Sequence, residues 1–181
     1  MMQIMLEQII ERLMALAVDS RQLPEGAYLF HRGDTVRAIF VVEAGRLELV
    51  RRQRNGAAIV LQRGGAGTVL AEASIYSDRY HCDALAAVAS SLLVVPKSAF
   101  LGALRADAVF ADLWAAHLAH AVQSARTRAE ILSLRTVAER LDGWLAWRTG
   151  VVPAKGAWKS IAAEIGVSPE ALYREMAKRR S

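Results

Sequence analysis

The chain has a single cysteine, Cys82, among 181 residues. One thiol excludes an internal disulfide, a multi-cysteine zinc site and a four-cysteine iron–sulfur cluster, and it suits a reducing cytoplasm. No run of about 18 uncharged apolar residues occurs, so neither a transmembrane helix nor a membrane partner is expected. The opening stretch, Met1 to Ala17, is apolar but carries Glu7, Glu11 and Arg12. It lacks a basic leader and a small-residue cleavage site, and is not expected to be a secretion signal. Catalytic signatures are missing as well. No nucleophile–base pair or metal box is visible, and Gly64-Gly65-Ala66-Gly67 lacks the lysine and following Ser or Thr of a phosphate-binding loop. An enzyme is not expected, and no metal site is assigned. No repeat or low-complexity segment stands out, although alanine is frequent.

What is present builds a core. Apolar residues make up 54% and charged residues 23%, which argues against disorder. The length suits one large domain, or one medium domain with a small appendage. The net charge of +5 is unevenly placed. Residues 126–181 hold eleven Lys and Arg against six Asp and Glu, whereas residues 1–125 hold twelve of each. A positive module beside a neutral one reads either as a polyanion-binding end or as a solvated basic tail.

Met5, Leu6, Ile9, Ile10, Leu13 and Met14 recur at helical spacing and predict a first amphipathic helix, broken by Pro24-Glu25-Gly26. Short β-rich runs follow (Ala27–Phe30, Ile39–Val42, Leu47–Val50, Ile59–Leu61, Ser91–Val95). Turn signals separate them at residues 31–34, 43–46 and 64–67, and Asn55-Gly56 signals a hairpin. Many short strands at this spacing predict a small antiparallel barrel or jelly roll. After Pro96 a helix is expected from about Val109 to Leu134. Phe110, Leu113, Trp114, His117, Leu118 and Ala121 lie largely along one side of it. About 25 residues span about 38 Å, long for so small a domain, so a second copy of the chain is the expected partner of that stripe. Another helix is expected from about Thr136 to Trp147, followed by a turn over residues 149–153.

The sharpest signal lies in Trp158 to Met176. Ile161 and Ile165 form the inner face of a short helix, and Ala162 and Ala163 are small enough to let a second helix cross closely. Gly166 permits the left-handed turn, Ser168 is an N-cap and Pro169 sits at the first helical position. Leu172 and Met176 pack back. Glu170, Tyr173, Arg174, Lys178 and Arg179 are left for the outer face, where a recognition helix needs polar and basic groups. Glu170 is expected to accept from a base, and Arg174 to donate to a guanine or phosphate. Lys159, Ser160, Lys178 and Arg179 are expected to hold the DNA backbone, and Ser168, Pro169 and Tyr173 are counted with them as DNA-binding residues. An ordinary helical hairpin is the alternative.

Four stretches, in order, resemble one family. Leu23-Pro24-Glu25-Gly26 through His31-Arg32-Gly33-Asp34, Phe40-Val41-Val42-Glu43-Ala44-Gly45, Val137-Ala138-Glu139-Arg140-Leu141 and Ser168-Pro169-Glu170-Ala171-Leu172-Tyr173-Arg174 resemble the cyclic-AMP receptor / fumarate-nitrate regulator (Crp/Fnr) superfamily of bacterial transcription factors. The resemblance implies an α+β chain with a cyclic-nucleotide-binding-like jelly roll, a long dimerisation helix and a winged helix-turn-helix. It implies a sensor domain over residues 1–108, a dimer helix over 109–134 and a DNA-binding domain over 135–181. Three departures stand out. The family's Gly-Glu-Leu is Ala71-Glu72-Ala73 here, and its phosphate-binding Arg-Ser, ten residues past the Glu, is Cys82-Asp83. Glu72, Ala73, Cys82 and Asp83 are thus candidate effector-pocket residues, but cyclic AMP is not expected to bind tightly. Pro169 replaces the family's usual Arg before the recognition-helix Glu. The family's wing strands are not expected, because the sequence ends at Ser181 with the recognition helix.

The resulting expectation is a cytoplasmic homodimer reading a two-fold-symmetric operator in double-stranded DNA, with RNA polymerase as a further candidate partner. The alternative is a ligand-sensing or protein-interaction module whose DNA-binding end is degenerate. The effector is not named by the sequence. Haem occurs in relatives, but no histidine here has a diagnostic context. Tyr80-His81-Cys82-Asp83 reads as a redox or metal spot, or as an alternating strand. His117 and His120 read as a pair across a dimer axis, or as packed surface residues.

Overall fold

The computed structural model describes residues 2–54, 58–148, 150–151 and 153–179. The chain divides into two compact units, Met1–Leu118 and Ala119–Ser181. Helix α3 (Ala108–Ser133) runs through the boundary.

The first unit begins with helix α1 (Met2–Leu16), whose Ile9 and Leu13 are fully buried. The helix ends well before Pro24, because Asp19–Leu23 forms strand β1. That strand is mostly exposed and polar, so its hydrophobic pattern carries no signal; it is defined by backbone pairing with the sixth strand (Asp19↔Val94 to Leu23↔Ser90). Strands β2 (Tyr28–Phe30), β3 (Ala38–Arg52), β4 (Ala58–Gly65), β5 (Val69–Leu70) and β6 (Asp83–Pro96) complete an antiparallel sheet in the order β1-β6-β3-β4. In addition, β2 pairs with β6, and β5 with β3. β3 and β4 pair from Arg46↔Gly65 to Arg52↔Ala58, as hairpin partners should; the Asn55-Gly56 turn itself lies outside the described residues.

Residues 43–46 are not a turn between two strands. β3 continues through them, with register shifts against β6 between Val42 and Leu47. Gly45 absorbs the irregularity at φ +88°, and a Cβ there would stand 2.3 Å from Ser90 Oγ and 2.4 Å from the Ala89 carbonyl oxygen. Gly64 and Gly65 likewise belong to β4, leaving Ala66-Gly67 as the turn. β6 is far longer than its Ser91–Val95 core, since its alanine-rich first half is held between neighbouring strands.

The strands are followed by helix α2 (Lys97–Ala106), an element the sequence reading did not contain, which buries Phe100. Asp107 then accepts the Phe110 N–H at 3.0 Å, opens α3 and pairs with Arg12. Phe110 and Trp114 require a correction. Expected on a dimer face, they are 1% and 2% exposed inside their own unit. Both rings pack edge-on against Phe100, at 5.8 and 4.7 Å between centroids. Leu113 and Leu118 also pack partly on that core. The first turns of α3 thus spend much of their apolar stripe within one chain, while Val122 stays half exposed.

The second unit has its own core, in which Ile131, Leu141, Trp144, Trp158, Ile165 and Leu172 are buried. Helix α4 (Val137–Trp147) starts at a capping box: Thr136 Oγ1 accepts the Glu139 N–H at 3.1 Å, and the Glu139 carboxylate accepts the Thr136 N–H at 2.9 Å. Helices α5 (Trp158–Glu164) and α6 (Pro169–Lys178) follow. Of the expected 149–153 turn, Thr149 and Val152 lie outside the described residues.

Candidate functional site

In the second unit, α5 and α6 pack together through Ile161, Ala162, Ile165, Leu172 and Met176. Ala162 is fully buried at the crossing, but Ala163, expected to share that role, is exposed. The connecting turn is built from its residues. Gly166 lies at φ +67°, where a side chain is strained, and an added Cβ would meet Leu132 Cδ2 at 2.8 Å. The Val167 N–H returns to the Ala162 carbonyl at 2.9 Å. Ser168 caps α6 by accepting the Ala171 N–H at 3.2 Å, and Pro169 opens the helix. These residues serve the turn itself.

One residue that sequence reasoning missed holds the turn from outside. The Arg140 guanidinium donates to the Leu134, Ile165 and Gly166 carbonyls at 2.8, 3.1 and 3.0 Å. It ties the end of α3 to the α5–α6 connection. Only its position one turn into α4 marked it, and nothing in its neighbours announced carbonyls 25 residues away. Glu164 similarly accepts from Trp144 Nε1 at 2.7 Å.

Lys159, Ser160, Glu170, Arg174 and Lys178 are exposed. The Glu170 carboxylate is held below its ordinary range by its own backbone N–H, then by Ser168 and by the nearby Arg174 charge. It is an anion at neutral pH, beside an exposed guanidinium on the same face. Two expectations change. Tyr173 is half-buried, its ring 5.2 Å from that of Trp158. Arg179 is engaged on the protein: it pairs with Asp142 at 2.6 Å and Glu175 at 2.9 Å, and donates to the Ala138 carbonyl.

In the first unit, Ala71 leads into a short 3₁₀ turn, Glu72–Ser74, at φ +70°, a left-handed conformation costly for a residue with a Cβ. Glu72 is 9% exposed. Gln62 of β4 hydrogen-bonds its carboxylate, while Oε2 has no partner. Burial pushes its pKa up. Cys82 is buried within electrostatic reach of Glu72, and burial pushes its thiol up to about 11, so it is neutral at pH 7. The other two expected members stand apart. Ala73 is exposed on the turn, and Asp83 accepts the Arg32 N–H at 2.7 Å with His31 Nδ1 at 3.7 Å. His81 is exposed, with Ser74 Oγ 2.9 Å from its Nδ1; Tyr80 and Cys82 are buried, but residues 80–82 precede β6 and do not form the alternating strand expected. A separate open cleft of about 400 Å³, lined by Arg21, Phe30, Asp34, Arg37, Phe40 and Tyr80 among others, includes neither Glu72 nor Cys82.

These residues suit part of a cyclic nucleotide only. The unpartnered Glu72 Oε2 can accept from a hydroxyl, but Cys82 offers no charge to a phosphate. The guanidinium nearest in effect, Arg51, is exposed and donates to the His81 carbonyl at 3.0 Å. A bound cyclic phosphate does not fit this set. Among the described residues, no group of three or more His, Cys, Asp or Glu is placed to hold a metal ion, and no helix is long and apolar enough to cross a membrane.

Residues 20–107 match the family model described as the cyclic nucleotide-binding domain. Solved structures match most of the chain. The structure of FixK2 from Bradyrhizobium japonicum matches at a TM-score of 0.71 and 16% identity, over 88% of this chain and 83% of that one. The c-di-GMP responsive global regulator CLP from Xanthomonas campestris matches at 0.68 and 18%, over 96% and 91%. The catabolite activator protein of Thermus thermophilus matches at 0.57 and 22%, over 94% and 82%. No curated protein matches in sequence.

Proposed function

We propose that this chain, with a cyclic nucleotide-binding domain at residues 20–107 and the fold of Crp/Fnr-type regulators, is a DNA-binding transcription regulator and not an enzyme. It acts in the cytoplasm as a homodimer on a two-fold-symmetric operator. Residues 1–108 serve as sensor, 109–134 as dimer helix and 135–181 as DNA-binding domain, and RNA polymerase is a further partner. The observation that carries the reading is the α5–turn–α6 unit, closed by Gly166 and Ser168, with Glu170 and Arg174 exposed four residues apart on one helix face. Glu170 accepts from a base, most naturally a cytosine amino group, and Arg174 donates to guanine or phosphate. Lys159, Ser160 and Lys178 hold the backbone. Arg179 supports α6 from the protein side. A dimer contact keeps Leu113, His117, Leu118 and Ala121 as candidates and adds the exposed Val122.

The reading is tested by fluorescence anisotropy with a selected operator and a scrambled duplex across a salt series. Glu170→Ala relaxes base preference at one position by about 1–3 kcal/mol per half-site. Lys178→Ala weakens both duplexes alike and lowers the salt slope by about one unit. Equal loss on both duplexes for Glu170→Ala removes its base-reading role. Failure of the wild-type chain to bind either duplex at low salt favours a ligand-sensing or interaction module, a reading to which the engaged Arg179 and half-buried Tyr173 already lean.

A further inference from the structure

The open cleft of about 400 Å³ in the first unit is separate from Glu72 and Cys82 and has no part in DNA binding as read above. Its size lies within the range of about 300–1,000 Å³ typical of small-molecule sites. Its floor is aromatic: Phe30 and Tyr80 stack at 3.7 Å between ring centroids, with Phe40 at 5.9 Å from Phe30. Its walls carry two cations, Arg21 and Arg37, and two anions, Asp19 and Asp34, all exposed. Among the described residues, no ion pair joins any of these four to another charge. Neutral partners hold two of them in place instead. Arg21 Nη1 donates to the Leu29 carbonyl at 3.2 Å, and Asp34 Oδ2 accepts the His31 N–H at 2.8 Å. The loop carrying Asp34 is tied to Tyr80 in both directions: the Gly33 N–H donates to the Tyr80 carbonyl and the Tyr80 N–H to the Asp34 carbonyl, each at 2.9 Å. Tyr80 Oη in turn donates to the Ala38 carbonyl at 2.8 Å. Polar groups fixed in advance need little further ordering when a ligand arrives. Two unpaired charges of each sign cancel, so the cleft favours neither a plain anion nor a plain cation. A ligand with both charges and an apolar part matches the walls and the floor together.

We propose that this cleft binds a zwitterionic small molecule, an α-amino acid with an apolar side chain. Its carboxylate accepts from Arg21 and Arg37, its ammonium donates to Asp34 with Asp19 as the second anion, and its side chain covers Phe30 and Tyr80. The proposal goes beyond the DNA reading and does not rest on it. The test is calorimetric titration of the full chain with phenylalanine and leucine, each beside its deaminated acid and its decarboxylated amine (phenylpropionate and phenethylamine for phenylalanine). At least one amino acid binds with a dissociation constant below about 1 mM. Its acid and its amine each bind at least about tenfold more weakly, since each lacks one charge-assisted contact. Arg37→Gln weakens the amino acid about tenfold and narrows its gap to the amine. Asp34→Asn, which keeps an acceptor for the His31 N–H, weakens it similarly and narrows its gap to the acid. The proposal is overturned if neither amino acid binds, if an acid or amine binds as tightly as its amino acid, or if either folded variant keeps wild-type affinity. Both substituted side chains are exposed. If a variant fails to fold by circular dichroism, the wild-type comparison decides alone.

Discussion

Replacing Arg140 with methionine removes three charged-donor hydrogen bonds at once, to the carbonyls of Leu134, Ile165 and Gly166. A hydrogen bond from a charged donor contributes about 1.5–3 kcal/mol when its acceptor is fully buried. Arg140 is half-buried, and the Gly166 contact is exposed, so water can reach the vacated acceptors. The expected loss is therefore near the bottom of the range, about 2 kcal/mol in all, and not the threefold sum. For a unit of this size, about 2 kcal/mol lowers the melting temperature by roughly 8–16 °C. Lysine at 140 keeps the charge but not the planar fork, and recovers less than half of the loss. The assay is thermal unfolding followed by tryptophan fluorescence, since Trp144 and Trp158 report the second core. DNA affinity falls alongside stability and is regained on cooling below the new transition. A melting temperature within about 2 °C of wild type contradicts the positioning role. Lost DNA binding with unchanged stability instead makes Arg140 a direct DNA contact.

Gly45→Ala places a Cβ 2.4 Å from the Ala89 carbonyl oxygen at a φ of +88°. It costs about 3 kcal/mol or more, read as loss of soluble protein or a lower urea midpoint; a wild-type midpoint refutes the tight β3–β6 approach. With its pKa pushed to about 11, Cys82 is thiolate in about one molecule per thousand at pH 8. An aromatic disulfide reagent therefore modifies the native protein at least about a hundredfold more slowly than the urea-unfolded protein. Rapid native modification makes Cys82 an accessible redox residue instead. Val122 is 49% exposed, so Val122→Glu leaves stability within about 0.5 kcal/mol. It raises the dimer dissociation constant at least about tenfold by light scattering if a second copy covers that face; an unchanged dimer places the interface elsewhere.

Legibility followed the physics of each signal. The packed pair α5–α6 and its connecting turn were readable because their cues are local: Gly166, Ser168 and Pro169 act within a few residues, and Leu172 and Met176 are buried as their spacing requires. Strands with apolar cores were found, but their ends were not. β1 is polar, and the alanine-rich start of β6 is defined by its partners; propensity reports neither. Gly45 reads as a turn in sequence because positive φ serves turns and bulges alike. The stripe on α3 was read correctly as apolar but assigned to the wrong neighbour at Phe110 and Trp114, since periodicity shows that a face is buried and not what buries it. Arg140 and Arg179 act through contacts 25 to 41 residues away, which no local pattern encodes. Of the four candidate pocket residues, Glu72 and Cys82 are buried. The exposure of Ala73 and the capture of Asp83 by Arg32 were not legible.

As proposed above, the chain reads DNA as a symmetric dimer through α6. The most direct measurement is selection of duplexes from a randomised library at moderate salt, followed by titration of the winning sequence against its scrambled counterpart. The expected winner is an inverted repeat with half-sites about one helical turn apart, occupied by two chains. The dimer binds it more tightly than the scrambled duplex, with a steep fall in affinity as salt rises. An unenriched library, or binding by one chain without sequence preference, contradicts that proposal.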